Sequence, residues 1–599
     1  MNKSLSEEDL FKMNASLKHR GPDASGVFCD KIVGLGHTRL SILDTSTLGN
    51  QPMYSKNEKY VIVFNGEIYN YKDLKNKYLF DFPLSSHTDT EVLLECFLRK
   101  GTDIFQELNG MFAGAIYSIQ NQELILFRDK MGKKPLFYYQ SNDYWVFGSE
   151  IKAIKRTLPE NLTIDKQQIY NFLHLNFIPE PYTIFKEIRK LEAGHWLKIS
   201  AKGFDKKSYI VWQEADNKPI NSENEAINSI NISLENAVRR RLQSDVPWGC
   251  LLSGGVDSSI VTAIAAKESS VKFPTFTIGF ENPKFDERPF ASRIASKLGV
   301  KYHDYQLNEQ DLLGRITGMN AIFDEPFGDT SAIPTLLVSE MASKQVKMVL
   351  TGDGGDELFL GYGTHIWAER IKNIPNPILS FASKVLNFLP DSKYKRVAHL
   401  LDFECVTNNF SHIYSQEHYL FSEKELKLLL NSQYYNTSQS IDNQPINAQN
   451  QSIWEIEHYL KDDLLVKVDR CSLYHSLEMR SPFLDDEVLS TSIKINPNIK
   501  LKNGVGKYLI KKHLESYLPN ELIYRKKQGF SVPLAKWLLN DLNNLLEKYT
   551  SNEIIEKYQI FNSDLIKKYK YNFYYGQTYL YNRLWLVVSL HMWMERFES

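Results

Sequence analysis

The stretch Leu251-Leu252-Ser253-Gly254-Gly255-Val256-Asp257-Ser258-Ser259 joins a short apolar run, Trp248 to Leu252, to a segment with helical periodicity, Ile260 to Ala266. A glycine pair lets the backbone pass close to a ligand. The amides of such a loop and of the following helix N-terminus converge on one spot, which favours an anion. The stretch therefore predicts a phosphate-binding loop, with Asp257 as a ligand for Mg²⁺. The alternative is a plain turn that starts a helix.

The pattern Ser-Gly-Gly-x-Asp-Ser resembles the pyrophosphate loop of the ATP pyrophosphatases, which cleave ATP between the α and β phosphates. A Walker loop would need Gly-x-x-x-x-Gly-Lys followed by Ser or Thr, and no such run occurs in the sequence. The loop therefore does not predict a P-loop kinase.

Three apolar runs in the second half of the chain are each followed by helical periodicity: Trp248 to Leu252, Thr275 to Phe280 and Val346 to Thr351. This alternation predicts a parallel sheet flanked by helices. Ligands of such sheets bind at the carboxyl ends of the strands, where Ser253 and Gly352 both fall.

A second glycine-rich loop, Thr351-Gly352-Asp353-Gly354-Gly355-Asp356-Glu357, follows the third of these runs. Three carboxylates among three glycines suit a site where the backbone approaches a nucleotide and the acids meet cations. A solvated acidic turn is the alternative. Next to the first loop, we favour binding of magnesium and of a reaction intermediate.

Composition sets broad limits. A chain of 599 residues is too long for one hydrophobic core, so we expect two or three domains. A net charge of −1 with 24% charged residues gives no basic footprint for nucleic acid, so we expect small-molecule partners. The five scattered cysteines lack metal spacing. With no apolar run of about 20 residues and no signal-peptide core at the start, we expect a cytoplasmic enzyme that does not bind membranes.

The first 150 residues contain several β-like runs and two helical stretches, which predict an α+β sandwich. The runs are Lys59 to Phe64, Met111 to Tyr117, Leu124 to Phe127 and Tyr144 to Phe147, and the helical stretches are Asp89 to Lys100 and one near Leu10 to Leu17. The polar segment Glu214 to Glu223 predicts a linker, and a helix around Ala226 to Gln243 opens the second domain. Asn431 to Ser452, rich in Asn, Gln and Ser, predicts an exposed loop.

Charged residues near the end of the chain have two interpretations. Arg470, Glu478 and Arg480 lie in a near-helical stretch that ends at Pro482, and they suit either an ion-pair network or a site. Lys507 and Lys527 are candidate cations for the charge that develops on phosphate during adenylation, with a solvated surface lysine as the alternative.

These motifs together resemble the glutamine-hydrolysing asparagine synthetases of the bacterial type over nearly the whole chain. The amino-terminal motifs are His19-Arg20-Gly21-Pro22-Asp23, Arg39-Leu40-Ser41-Ile42, Gln51-Pro52, Asn65 to Asn70, Thr88-Asp89 and Arg128-Asp129. The carboxy-terminal motifs are Ser253 to Ser259, Asp324 to Asp329, Gly352 to Glu357, Asp469-Arg470 and Pro482 to Asp485. The resemblance implies an αββα N-terminal-nucleophile glutaminase domain over residues 1–214. An α/β ATP-pyrophosphatase domain with a parallel sheet and extra C-terminal helices would follow over residues 224–599.

The resemblance also implies residue roles. In the glutaminase domain, Arg39 would bind the glutamine α-carboxylate, Glu67 and Asp89 would face its α-amino group, and Asn65 and the Gly66 N–H would form the oxyanion hole. In the synthetase domain, Asp257 and Asp356 would hold Mg²⁺ and pyrophosphate, and Lys507 would stabilise the adenylation transition state. The expected ATP-binding residues are Leu252, Ser253, Gly254, Gly255, Asp257, Ser258, Ser259, Ile278, Thr351 and Gly352. Asp353 stands where the family often has Glu, in a role at the β-aspartyl-adenylate.

The implied reaction uses ATP, Mg²⁺, aspartate and glutamine. The aspartate carboxylate attacks the α-phosphate, pyrophosphate leaves, and ammonia from glutamine displaces AMP to give the amide. Ammonia would pass between the sites without meeting bulk water, because protonation destroys its nucleophilicity. The family expectation for assembly is a homodimer.

The start of the chain departs from the family pattern. The family's nucleophile is a cysteine directly after the initiator methionine, whereas this chain begins Met1-Asn2. Cys29 is the nearest thiol, but it is internal and lacks a free α-amine, so as written the polypeptide is not expected to hydrolyse glutamine. Because the glutamine-binding set persists, we expect a truncated or misassigned start, with an upstream Cys-Gly-Ile strand in the native protein, rather than a degenerate domain.

Three other functions stay open at this point. The nearest is a related amidotransferase that amidates another carboxylate, such as a uronic acid of a surface polysaccharide, because the ATP and glutamine motifs would be the same. Intramolecular amide closure, as in β-lactam synthetases, is disfavoured by the intact glutamine set. A non-catalytic scaffold is disfavoured by the retained phosphate loops.

Overall fold

Eleven strands precede the expected linker and five follow it in the part of the chain that the structure describes. The structure is a computed structural model, and it describes residues 6–158, 162–210, 219–283, 285–307, 309–435, 444–525 and 532–598. The amino-terminal strands are β1 (Ala24–Cys29), β2 (Gly34–Arg39), β3 (Met53–Tyr54), β4 (Tyr60–Ile68), β5 (Gly110–Ser118), β6 (Glu123–Arg128), β7 (Phe137–Gln140), β8 (Trp145–Gly148), β9 (Ile188–Lys190), β10 (His195–Ser200) and β11 (Gly203–Ser208). The amino-terminal helices are α1 (Glu7–Ser16), α2 (Tyr71–Tyr78), α3 (Asp89–Lys100), α4 (Ile104–Glu107), α5 (Ile151–Lys155) and α6 (Lys166–Leu175).

The central sheet of the amino-terminal half has six antiparallel strands in the order β11-β10-β6-β5-β4-β3. Successive side chains of a strand point to opposite faces, and here both faces are buried. On β4, Val61 and Val63 join a cluster with Leu35 of β2, whereas Ile62 and Phe64 join a cluster with α2 and α3. The small sheets β1-β2 and β8-β7-β9 form the next layer, and α1 and α5 cover their outer side.

This layering of helices, two sheets and helices confirms the αββα architecture expected for the first domain. The predicted strands at residues 59–64, 111–117, 124–127 and 144–147 all occur, shifted by one to four residues at their ends. The helix predicted at Asp89 to Lys100 has those bounds in the structure. Half of the predicted linker, residues 214–218, lies outside the described residues.

The carboxy-terminal half is built on a sheet of five parallel strands in the order β14-β13-β12-β15-β16. The strands are β12 (Trp248–Leu251), β13 (Pro274–Phe280), β14 (Lys301–Leu307), β15 (Met348–Leu350) and β16 (Glu478–Arg480). The chain runs outward from β12 to β14 and then returns to the other side of β12 with β15. The order of strands therefore reverses between β12 and β15, which is where sheets of this kind bind ligands.

Helices cover the sheet and extend beyond it, as expected for this domain. They are α7 (Glu223–Arg241), α8 (Val256–Glu268), α9 (Arg288–Leu298), α10 (Glu309–Ile322), α11 (Ala332–Ser343), α12 (Gly355–Leu358), α13 (Gly363–Ile371), α14 (Asn376–Asn387), α15 (Ser392–Leu401), α16 (Asn409–Glu417), α17 (Glu423–Leu429), α18 (Ala448–Glu455), α19 (Leu465–Leu473), α20 (Asp486–Lys494), α21 (Pro497–Lys500), α22 (Tyr508–Leu514), α23 (Asn520–Ile523), α24 (Leu534–Leu539), α25 (Asn543–Tyr549), α26 (Asn552–Tyr558), α27 (Ser563–Tyr574) and α28 (Tyr581–Glu598). A π-helical segment, Ile456–Leu464, connects α18 to α19 without a break. Among the described helices, none combines the length and the hydropathy needed to span a bilayer.

Two sequence predictions for this half are wrong. Of the three charged residues expected in a near-helical stretch, only Arg470 lies in a helix. Glu478 and Arg480 belong to β16, which pairs with β15. The sequence of β16 has no apolar alternation of its own that would predict a strand. The exposed loop expected over residues 431–452 ends in α18, where Gln451 and Ser452 are buried. Residues 436–443 of that segment lie outside the described part.

The two halves meet across buried charges. Glu150 of the amino-terminal half is bound by Arg470 of α19 (2.9 Å) and by Arg20 (3.0 Å). Arg20 also reaches Asp469 (2.8 Å), and Arg470 reaches Asp324 (3.1 Å). These contacts confirm the ion-pair interpretation of Arg470. They also join the amino-terminal half to α19 of the carboxy-terminal half.

Candidate active site

A cavity of about 670 Å³ opens at the carboxyl ends of β12, β13 and β15. It is lined by nearly all of the residues expected to bind ATP: Leu252, Ser253, Gly254, Gly255, Asp257, Ser258, Ile278, Thr351 and Gly352. Asp353, Asp356 and Lys507 line it as well. Ser259 does not, since its side chain is buried one position further into α8. The expected cation Lys527 lies outside the described residues.

Hydroxyl groups hold the first loop in shape. The Ser253 N–H donates to Ser258 Oγ (3.2 Å), and the Gly255 N–H donates to Ser253 Oγ (3.2 Å). Gly254 has a φ of +75°, which disfavours any residue with a side chain. The loop therefore keeps its backbone amides beside the start of α8, the arrangement that favours a phosphate group.

Glycines of the second loop pack directly against the first. A Cβ on Gly352 would lie 2.7 Å from the Ser258 nitrogen, and a Cβ on Gly355 would lie 2.6 Å from Asp257 Cγ. Both distances are too short for any other residue. The close contact between the two loops is thus a second reason for glycine at positions 352 and 355, in addition to the approach of a ligand.

Lys507 joins the carboxylates of the two loops. Its Nζ forms an ion pair with Asp257 and another with Asp356 (2.6 Å). Burial alone would lower the pKa of Lys507, but the two carboxylates raise it above its ordinary value. The side chain is therefore a buried cation, and the alternative of a solvated surface lysine is excluded.

Asp353 is held by hydroxyls, one of which connects it to the other domain. Its Oδ2 accepts from Thr351 Oγ1 (2.6 Å) and from Ser481 Oγ (3.3 Å). Lys133, in the loop after β6, donates to Ser481 Oγ (2.9 Å). Burial lowers the pKa of Lys133 to about 8, although the Asp353 carboxylate opposes the shift. Sequence reasoning missed Lys133 because a loop lysine carries no signal of burial.

Glu357 completes the acidic loop in an uncharged form. It is buried, and its Oε1 accepts from the Tyr362 hydroxyl (2.8 Å). Burial and, next, the neighbouring Asp356 carboxylate raise the pKa of Glu357 to about 8. The Glu357 carboxyl group is therefore mostly protonated at neutral pH.

The expected glutamine pocket lies on β4. Asn65 lines a cavity of about 100 Å³ between the sheets, and its Nδ2 is buried without a hydrogen-bond partner among the described residues. Gly66 has a φ of +147°, and a Cβ there would lie 2.0 Å from the Met111 carbonyl oxygen. An unpaired amide donor beside a strained glycine suits the expected oxyanion hole.

Glu67 and Asp89 are close neighbours at the end of β4. Asp89 Oδ2 accepts from the Ile68 N–H (2.7 Å), and burial raises the pKa of Asp89 to about 6. Glu67 Oε1 forms an ion pair with Arg480 of β16 (3.0 Å), a residue of the other domain. Burial raises the pKa of Glu67 well above its ordinary value, and Arg480 opposes this shift.

Arg39 is occupied by its own loop. Its guanidinium donates to the Ser46 carbonyl (2.7 Å), to Asn50 Oδ1 (3.0 Å) and to the carbonyls of Leu43 and Asp44. A Cβ on Gly49 would touch both Arg39 and Thr88, the cap of α3, so Arg39 lies next to the helix that begins with Asp89. The structure thus places Arg39, Glu67 and Asp89 near the start of α3, and none of the three lines the cavity at Asn65.

Neither described cysteine of this domain lines the cavity at Asn65. Burial raises the pKa of the Cys29 thiol, and it raises the pKa of the Cys96 thiol to about 11. Cys96 is packed inside the helix-facing core. A raised pKa makes a thiol a poor nucleophile at neutral pH, as expected for Cys29 from its position.

Comparisons with known proteins agree with this geometry. Residues 229–595 match the family described as asparagine synthase, and residues 1–210 match the glutamine amidotransferase domain. Glutamine-hydrolyzing asparagine synthetase 1 of Bacillus subtilis (strain 168) is 31% identical over 569 residues, covering 92% of this chain and 89% of that protein. Asparagine synthetase 3 of the same organism is 28% identical and covers 88% of this chain and 84% of its own. Asparagine synthetase B of Escherichia coli (strain K12) is 25% identical, and the match covers 91% of this chain and 82% of that protein.

Three findings lead to one conclusion: two matched domains in the expected order, a cavity at the switch point of a parallel sheet, and relatives of one activity that cover most of the chain. The chain belongs to the glutamine-hydrolysing asparagine synthetase family.

Proposed function

We propose that this chain forms asparagine through a β-aspartyl-adenylate. A β-carboxylate oxygen of aspartate attacks the α-phosphorus of ATP, a new P–O bond forms, and the bond to the bridging oxygen breaks as pyrophosphate leaves. The observation that carries this proposal is the junction of Lys507 with Asp257 and Asp356, where the two glycine-rich loops touch. A buried cation held by both loops is placed to stabilise the negative charge that develops during adenylation.

ATP would lie along the first loop, with Leu252 and Ile278 beside the adenosine and the amides of Ser253 to Ser258 around the phosphates. These residues line the cavity together with Gly352. A nucleotide that meets the start of α8 gains both the free N–H groups and the positive end of the helix dipole.

Mg²⁺ fits the carboxylates of this site. The ion is usually held by one or two carboxylates together with substrate phosphates, and Asp257 and Asp356 already meet at one ammonium group. Among the described residues no group of three or more metal-ligating side chains occurs, so phosphate oxygens would have to complete the coordination. When bound, the ion would neutralise charge on the departing pyrophosphate.

The second step replaces AMP by nitrogen. The lone pair of ammonia attacks the acyl carbon, the C–O bond to AMP breaks, and one proton is lost from the nitrogen. Asp353 is the carboxylate of the second loop that Thr351 and Ser481 position, and we assign the adenylate-side role to it. The Asp353 side chain is shorter than the Glu that the family often has at this position, and the two hydroxyl contacts hold its carboxylate in place.

Nitrogen would come from the pocket on β4, where Asn65 and Gly66 would bind the oxyanion and Glu67, Asp89 and Arg39 would recognise glutamine. Arg480 already neutralises Glu67, and carbonyls already engage Arg39. Bound glutamine would therefore contact Glu67 and Arg39 while these side chains keep their partners in the protein.

The deciding assay measures pyrophosphate release and asparagine formation with ATP, Mg²⁺ and aspartate, with ammonium chloride or glutamine as nitrogen source. We expect asparagine with ammonium from residues 1–599. Pyrophosphate release that depends on a different carboxylic acid, such as a uronic acid, would instead identify another acceptor. No pyrophosphate with any acceptor would overturn the proposal.

A further inference from the structure

The same cavity has a second group of lining residues that no step above uses. They come from the end of α6, from the segment before α11, from the π-helical segment and from α19, and they include Asn176, Asp329, Ser331, Asp463 and Lys467. Burial lowers the pKa of Lys467, but Asp329, Asp463 and, more weakly, Asp353 raise it above its ordinary value. Lys467 therefore lies close enough to Asp353, on the second glycine-rich loop, for their charges to interact.

Asp463 is the unusual member of this group. Its side chain is 1% exposed, and its only hydrogen bond among the described residues is the one that Asn176 Nδ2 donates to Oδ2 (3.3 Å). Its Oδ1 is buried without a partner in the described part of the chain. A buried carboxylate oxygen of this kind is costly unless it accepts a hydrogen bond from a donor, and most strongly from a charged one.

The charge balance around Asp463 favours a cation. Lys467 Nζ is already engaged by Asp329 Oδ2 (2.7 Å) and Ser331 Oγ (2.7 Å). Burial and the Asp329 carboxylate raise the pKa of Asp463 well above its ordinary value. A cationic group beside Oδ1 would reverse that shift, because it stabilises the ionised carboxylate.

Aromatic rings form the adjoining wall. The rings of Tyr414 and Tyr459 have their centroids 5.3 Å apart, and both side chains line the cavity. Burial raises the pKa of both hydroxyls, and the Asp463 carboxylate is the next contribution to each shift. Ring faces beside a carboxylate form a favourable environment for an ammonium group.

We propose that Asp463 binds the α-ammonium group of the acceptor amino acid and thereby selects it over carboxylic acids that lack an amino group. This inference rests on the proposed function, because it assigns the acceptor subsite of the same cavity. It distinguishes aspartate from a uronic acid, which offers hydroxyls but no ammonium.

The test compares aspartate with succinate, which has the same two carboxylates and no amino group. In the wild-type chain, with ATP, Mg²⁺ and ammonium, we expect the inhibition constant of succinate to exceed the KM for aspartate by about 10- to 100-fold, the value of a charged hydrogen bond. In D463N the KM for aspartate should rise by about the same factor, whereas the inhibition constant of succinate should stay within about threefold.

Asp462→Asn is the matched control. Asp462 is a buried neighbour in the same π-helical segment, but it faces Lys190 (3.5 Å) and the Glu180 N–H (3.1 Å) instead of the large cavity. We expect the KM for aspartate in D462N to stay within about threefold of the wild-type value, since no ammonium contact is removed.

Several results would overturn the inference. They are a succinate inhibition constant close to the wild-type KM for aspartate, an unchanged KM in D463N, a parallel loss of succinate binding in D463N, or an equal effect of D462N. The comparison of succinate with aspartate uses only the wild-type chain, so it tests the inference even if D463N does not fold. Failure of the wild-type chain to release pyrophosphate with aspartate would instead remove the proposed function itself.

Discussion

The synthetase cavity and the glutamine pocket both gather charged side chains, but they balance the charges differently. In the cavity, one cation, Lys507, serves two carboxylates of the loops that line it. In the pocket, Arg480 of the other domain neutralises Glu67, and loop carbonyls engage Arg39. Substitutions in the cavity should therefore change the chemistry, whereas substitutions in the pocket should first change stability and the contact between the domains.

The largest effect is expected at Lys507. Replacing Lys507 by Met removes the cation from the junction of the loops and leaves Asp257 and Asp356 facing each other. We expect pyrophosphate release with ammonium to fall by about 10³-fold, as for the loss of a group that stabilises transition-state charge. Lys512→Met is the control, because Lys512 on α22 lies near the surface and forms its ion pair with Glu515. Activity above a tenth of the wild-type rate in the Lys507 variant would contradict the assignment.

The pocket is tested next, through Glu67→Gln. The substitution removes one partner of a fully buried pair and should lower the free energy of unfolding by about 3 kcal/mol. Urea unfolding followed by tryptophan fluorescence measures the shift of the apparent midpoint. Glu107→Gln serves for comparison, since its partner Lys77 is largely exposed and such pairs contribute about 0 to 1 kcal/mol. Equal midpoints for Glu67→Gln and the wild type would show that the pair is not important for stability.

A smaller effect is expected where the two regions meet. Replacing Lys133 by Met removes the donor to Ser481 and loosens the hydroxyl pair that positions Asp353. We expect kcat for ammonium-dependent synthesis to fall about tenfold with little change in the KM for ATP, because the Ser481 hydroxyl that contacts Asp353 would lose its own hydrogen-bond donor. The control is Lys130→Met, which breaks another interdomain pair, with Asp486, away from the loop. A matching loss in both variants would mean that domain contact in general, not Ser481, is responsible.

A test of a different kind, the pH dependence of stability, concerns Glu357. Its pKa is about 8 in the folded chain, whereas an unfolded glutamate titrates near 4.5. The folded state therefore binds the extra proton between these values, and stability falls as the pH rises from about 4.5 to 8 and then levels off. Glu357→Gln mimics the protonated form and should lose this part of the pH dependence. Apparent Tm values at pH 5, 6.5 and 8 measure it, and identical slopes for both proteins would contradict the assigned pKa.

Much of the frame follows from the sequence because it depends on local patterns. The unbroken apolar run from Val61 to Phe64 predicts a strand, and both of its faces are buried in the structure. The glycine-rich loops likewise predict a phosphate-binding site. These signals are contained in a few consecutive residues, so no tertiary information is needed to interpret them.

The parts that were missed depend on contacts between distant segments. Glu478 and Arg480 form a strand only because β15 offers an edge for pairing. Lys133 and Asp463 resemble surface residues in the sequence, and burial by the other domain or by neighbouring helices gives them their roles. One signal was available for Asp463, since it stands with Asp462 among the buried leucines at 460, 464 and 465.

The π-helical segment Ile456–Leu464 has a consequence for how the gene can change. A π-helix holds about one residue more in each turn than an α-helix does, because its hydrogen bonds run from residue i to residue i+5. An in-frame loss of one codon in this segment would therefore restore an α-helical turn and leave α19 facing the same way, whereas a codon lost just after Leu465 would rotate the residues that follow by about 100°. In that case Lys467 would leave the cavity, and Asp469 and Arg470 would leave the domain interface. The π-helical segment is thus the part of this long helix that best tolerates a change of length.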